Sequence, residues 1–120
     1  MTSWEYFVGF EREPKDLDAF LDRQGYERIP NKQGNSIRDY ESRVGGLVEL
    51  FFTEDFLEVE EGEVPDWRGN GYNVTSELMI STKDFSADLE AQRIANETTK
   101  KYKAVIYDPQ IDEFFKGGSL

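Results

Sequence analysis

Trp4, Tyr6, Val8 and Phe10 share one parity while Glu5, Gly9 and Glu11 take the other. That period-two alternation predicts a half-buried strand. Pro14 suits the first turn of a helix, Leu17, Phe20 and Leu21 stand at i, i+3 and i+4, and Gly25 supplies a stop, so a helix is expected over residues 14–24. The polar residues 30–36 read as a loop, and Ile37 to Arg43 alternates weakly around Tyr40 as a second strand. Gly45-Gly46 then connects to Leu47-Val48-Glu49-Leu50-Phe51-Phe52, the strongest strand signal in the chain, predicting an antiparallel hairpin.

Residues 54–71 hold no such pattern. Pro65, Gly69, Asn70 and Gly71 exclude regular structure at the end of this long loop. Tyr72, Val74, Ser76, Leu78 and Ile80 then share one parity, which predicts a fourth strand with Tyr72 and Val74 on the same face as Leu78 and Ile80. Ala87, Ala91, Ile94, Ala95, Thr98 and Tyr102 form a helical stripe, with acids early and Lys100, Lys101 and Lys103 late, as the helix dipole favours. Ala104 to Tyr107 reads as a fifth strand ended by Asp108-Pro109, and a tail over 109–120 carries Ile111, Phe114 and Phe115.

The order β-α-β-β-β-α-β predicts one α+β domain over residues 1–120. Its expected form is a two-layer sandwich, a mainly antiparallel five-stranded sheet with two helices on one face. A split β-α-β crossover at each end resembles a ferredoxin-like plait with one added strand, a pattern too widely used to imply a function. The other sheet face would still receive Phe7, Met79 and either Leu47 with Phe51 or Val48 with Leu50 and Phe52. An open antiparallel sheet is normally polar there, so a cover is expected: the tail, a second copy in a homodimer, or a ligand.

Composition narrows the chemistry. There is no histidine and no cysteine, which removes the usual nucleophile pairs, zinc sites, thiol chemistry and disulfides. Carboxylates, lysine, tyrosine and hydroxyls remain. Twenty-five acids against 14 bases give a net charge of -11, so neither nucleic acid nor an anionic membrane is an expected partner. A basic protein fits the sign, although surplus acid also simply keeps a small protein dissolved. Neither a leader pattern nor an 18-residue apolar run is present, and a cytoplasmic location is expected. Two Asn-x-Thr sequons, at Asn73 and Asn96, then read as chance.

The run from Glu54 to Asp66 contains Glu54, Asp55, Glu58, Glu60, Glu61, Glu63 and Asp66 and no base. Its spacing lacks the alternate acids, central glycine and terminal Glu of a calcium loop, so a solvated charge run or an electrostatic docking segment is expected, with no metal and no cofactor. Beside it, Asp66, Trp67, Arg68 and Tyr72 place an indole, a guanidinium and a phenol on a glycine-rich loop. Such side chains dominate binding hot spots, and the plainer reading has Trp67 pinning a long loop to the core. Asp108 lies just past a strand end, where polar groups are often displayed, and equally reads as a turn residue.

These observations predict a small non-catalytic interaction module, of the inhibitor or immunity type, that binds a basic partner through Glu58, Glu60, Glu61, Glu63, Asp66, Trp67, Arg68, Tyr72 and Asp108. The alternatives are a plait-type enzyme or small-ligand binder using Asp, Glu and Tyr in a sheet-face or dimer pocket, and a structural subunit of an assembly.

Overall fold

The computed structural model describes residues 4–30, 37–43, 45, 47–54 and 65–116, and shows an α+β body with one antiparallel sheet of seven strands and two helices. The strands are β1 (Trp4–Phe10), β2 (Tyr26–Ile29), β3 (Ile37–Ser42), β4 (Val48–Thr53), β5 (Ser76–Thr82), β6 (Val105–Asp108) and β7 (Glu113–Lys116). The helices are α1 (Leu17–Arg23) and α2 (Asp88–Tyr102). The sheet order is β2-β3-β4-β5-β1-β6-β7, so β2 to β5 form a meander and β1 lies between its last strand and β6.

Seven strands replace the expected five. The first addition, β2, is only four residues long, and its buried Tyr26 precedes the exposed Glu27 and Arg28, so no alternation marks it in sequence. It exists because β3 supplies hydrogen bonds along its whole length, Tyr26 opposite Ser42 through Ile29 opposite Asp39. The second addition is the tail. A turn at Asp108 to Asp112 reverses the chain, and β7 pairs with β6 from Val105 opposite Lys116 to Asp108 opposite Glu113.

Helix α1 starts three residues later than expected because Asp16 is left-handed, with φ 57°. Its stripe of Leu17, Phe20 and Leu21 is buried as the spacing requires. Gly25, at φ 96°, carries the chain out of the helix into β2 in a conformation that only glycine adopts without strain.

One core lies between the helices and the sheet. It joins Leu17, Phe20 and Leu21 of α1 and Ala91, Ile94 and Ala95 of α2 to Tyr6, Val8, Leu50, Phe52, Leu78, Ile80 and Ile106. Tyrosines bind the two layers by a recurring device: a phenol rising from a strand donates to a helix carboxylate. Tyr6 donates to Asp88 at 2.6 Å, Tyr26 to Glu90 at 2.8 Å, and Tyr40 to Asp18. Burial, reinforced by these carboxylates, pushes all three phenol pKa values far above the ordinary range, so they stay protonated donors. None of the described helices is long and apolar enough to cross a membrane.

The fourth predicted strand is corrected at its start. It begins at Ser76, and Tyr72 and Val74 belong to a loop on the sheet face opposite the helices, packed with Trp67 and away from Leu78 and Ile80. The chain joins the sheet only where β1 offers a partner, Phe10 opposite Ser76.

Candidate functional site

Of the residues that the sequence singled out, Trp67 and Tyr72 pack on the sheet face opposite the helices, which among the described residues has a covered half and an open half. In the covered half a second core of Trp67, Val74, Val105 and Tyr107 is flanked by Phe7, Tyr72 and Phe114. Trp67 is 1% exposed and lies against Gly9, where an added Cβ would stand 3.0 Å from the indole and 2.6 Å from Val74 Cγ2. Glycine at this point of β1 is what lets the indole approach the backbone. The indole Nε1 donates to Glu77 Oε2 at 2.8 Å, so its polar edge is satisfied where it is buried.

Trp67 thus pins the loop, with its ring buried beneath the surface. Tyr72 is half-buried beside it, edge-on to Trp67 with centroids 6.4 Å apart and 5.3 Å from Phe114, and Lys116 Nζ stands 5.4 Å over the Tyr72 ring. Arg68 is exposed at the start of a short helical turn, Arg68–Asn70. Asp66 closes that turn, accepting from the Gly69 N-H at 3.0 Å. Asp108 is 9% exposed, and its Oδ1 accepts from the Gln110 backbone N-H at 2.9 Å and from Gln110 Nε2 at 2.6 Å. Its carboxylate is thereby engaged in the turn between β6 and β7. Glu58, Glu60, Glu61 and Glu63 lie outside the described residues.

Among its described residues, the tail covers part of this face. Phe114 points into the second core, Phe115 packs on the helix side, and Ile111 is 55% exposed. Between the loop and β7 lies a cleft of about 530 Å³ lined by Asp66, Asn70, Tyr107, Asp112, Glu113 and Phe114. Tyr107 donates to Asp112 at 2.7 Å; burial, then that carboxylate, pushes its pKa up to about 12. Among the described residues, no group of three or more carboxylates could hold a metal ion.

The open half is organised by register, which local sequence does not reveal. Strand pairing sets Ile29, Asp39, Phe51, Met79 and Phe7 in one row across five strands, continuing into Tyr107 and Phe114 of the covered half. One pleat away runs a parallel row of Glu27, Glu41, Glu49, Ser81 and Glu5. Four of its five members are glutamates, and Glu27, Glu41 and Glu49 are immediate cross-strand neighbours. Like charges so placed destabilise a sheet. Lys83 Nζ meets Glu49 at 3.1 Å from a side chain that is 78% exposed. Ile29, Phe51 and Met79 are half-buried and belong to neither core among the described residues.

No family model matches the chain, and no curated protein or solved structure matches it either.

Proposed function

We propose that this protein is a non-catalytic interaction module that binds a basic protein partner. The observation that carries the reading is the glutamate row, in which Glu27, Glu41 and Glu49 stand side by side across β2, β3 and β4. An arrangement that costs the free protein stability is understandable if a cationic partner neutralises it on binding. The net charge of -11 extends the same attraction to long range and would accelerate encounter. The body, with β1 between β5 and β6 and a helix on each crossover, fits an enlarged ferredoxin-like plait, a frame that serves binding proteins and enzymes alike.

The enzymatic alternative draws less support. Tyrosines and carboxylates were its expected machinery, and Tyr6, Tyr26, Tyr40 and Tyr107 each donate to a carboxylate that ties one element to another. Raised phenol pKa values leave these groups poor bases near neutral pH. The test is capture of partners from the native host, followed by association kinetics against salt with the purified partner. A basic partner whose on-rate falls steeply with salt supports the reading; a salt-independent on-rate removes its basis.

A further inference from the structure

We infer that the open half of the second sheet face is the docking surface, and that its occupant is a segment of another protein carrying lysines or arginines along one edge of an apolar stripe. The inference rests on the basic-partner reading and adds where that partner sits and what it must present. Two parallel rows define the surface. One holds Ile29, the buried Asp39, Phe51 and Met79 and runs on to Phe7 at the edge of the second core, and the other holds Glu27, Glu41, Glu49, Ser81 and Glu5, two residues away along each strand.

Spacing sets the demands on the ligand. Neighbouring strands lie about 4.8 Å apart, and residues two apart on one strand are separated by about 6.8 Å. A complementary segment therefore needs a cation roughly every 5 Å beside apolar groups displaced by roughly 7 Å. One turn of α-helix advances about 5.4 Å, so lysines at i, i+4 and i+7 with leucines on the adjoining face meet that demand. Around the buried Asp39, the first row supplies what charge alone does not: the half-buried Ile29, Phe51 and Met79, apolar groups that gain from losing their remaining water.

Charge also decides against the alternative occupant. A second copy seated face to face would lay two glutamate rows near each other and bring together two bodies of charge -11. A basic segment relieves the repulsion that a second copy would double. Lys83, on its exposed side chain, is the local base that such a segment would displace from Glu49.

The test uses the full-length protein and three synthetic peptides of about four helical turns. One has lysines at i, i+4 and i+7 beside leucines, the second replaces the leucines with serine, and the third replaces the lysines with glutamate. Calorimetry should show binding of the Lys/Leu peptide alone, weakened about tenfold or more by the triple change Glu27→Gln, Glu41→Gln, Glu49→Gln. Backbone amide shifts should map to β3, β4 and β5, and sedimentation should show a monomer. Equal binding of the Lys/Ser peptide, still sensitive to the triple change, would overturn the apolar part while leaving the basic-partner reading intact. Binding of a lysine peptide that ignores the triple change, shifts confined to another surface, absence of peptide binding, or a dimer that buries this face would each overturn the inference.

Discussion

Trp67 Nε1 donates to Glu77 Oε2 at 2.8 Å, and both residues are buried, the indole 1% exposed and the glutamate 8%. The pair fastens the loop before β5 to the strand itself. Without the indole N-H, the Glu77 carboxylate would lose a donor in a place that water reaches poorly. Trp67→Phe should therefore cost about 1–3 kcal/mol beyond the loss of ring packing, because a buried acceptor loses one of its donors. Urea denaturation of Trp67→Phe, Glu77→Gln and the double variant checks it. The coupling should be at least about 0.5 kcal/mol, as expected for residues in one hydrogen-bonded pair, and additive effects would contradict the structural role.

Gly9 should tolerate no side chain. A Cβ there meets Val74 Cγ2 at 2.6 Å and the Trp67 ring at 3.0 Å, and both neighbours are buried. Overpacking of this kind costs about 1–3 kcal/mol. Gly9→Ala should lower the unfolding free energy by that amount, and Val74→Ala, which removes the closest atom, should restore part of the loss. The loss and its partial rescue, measured by denaturant melts, locate the strain at this contact.

The order of the body is more legible in the sequence than its site. Alternation exposes β1, β4 and most of β5 because each has one buried and one less-buried face, and the spacing of Ala91, Ile94 and Ala95 exposes α2. By contrast β2 and β7 are each four residues long and are defined by neighbours far along the chain or across a turn, so local pattern is too short to reveal them. Trp67 is legible as an anchor of its loop, whereas its partner Glu77 is not, since the bond depends on how the loop lies across β5. The glutamate row is the extreme case. Glu27, Glu41 and Glu49 stand in different strands, and only the registers of two strand pairs make them neighbours.

Stability should fall in strong base through the tyrosines. Tyr102 and Tyr107 are pushed up from 10.0 to about 12, first by burial and then by Asp16 and Asp112 respectively. A raised phenol pKa means that the neutral form is favoured by folding, so its contribution is complete below the unfolded value of about 10 and is lost as pH climbs towards about 12. Denaturation midpoints should decline across that interval, and phenolate absorbance in the native protein should lag behind that of a denatured sample. In acid the sign reverses for Glu90, whose pKa is held below 4.5 chiefly by its hydrogen bond from Arg93, so its contribution is present above that value and disappears as pH falls below it. Glu90→Gln should flatten this part of the acid limb. Titration of stability against pH in both proteins measures the difference.

Relieving the glutamate row should stabilise the free protein while weakening its partner complex. Glu41 lies between Glu27 and Glu49 in the pairing register, so it faces a like charge on both sides. Glu41→Lys converts two repulsive cross-strand neighbours into attractive ones and should raise stability by about 0.2–1 kcal/mol for each pair at low salt. Added salt should stabilise the original protein more than the variant, because screening acts on the repulsion that the variant lacks. Thermal melts across a salt series test this half of the prediction without knowledge of any partner. The other half follows from the same electrostatics: the Lys/Leu peptide that binds the original protein should bind Glu41→Lys more weakly, with a shallower dependence on salt. A variant that is more stable and binds less well would show that this row is kept for recognition at the expense of the fold, whereas unchanged stability and unchanged binding would mean that the three carboxylates are too well solvated to influence either.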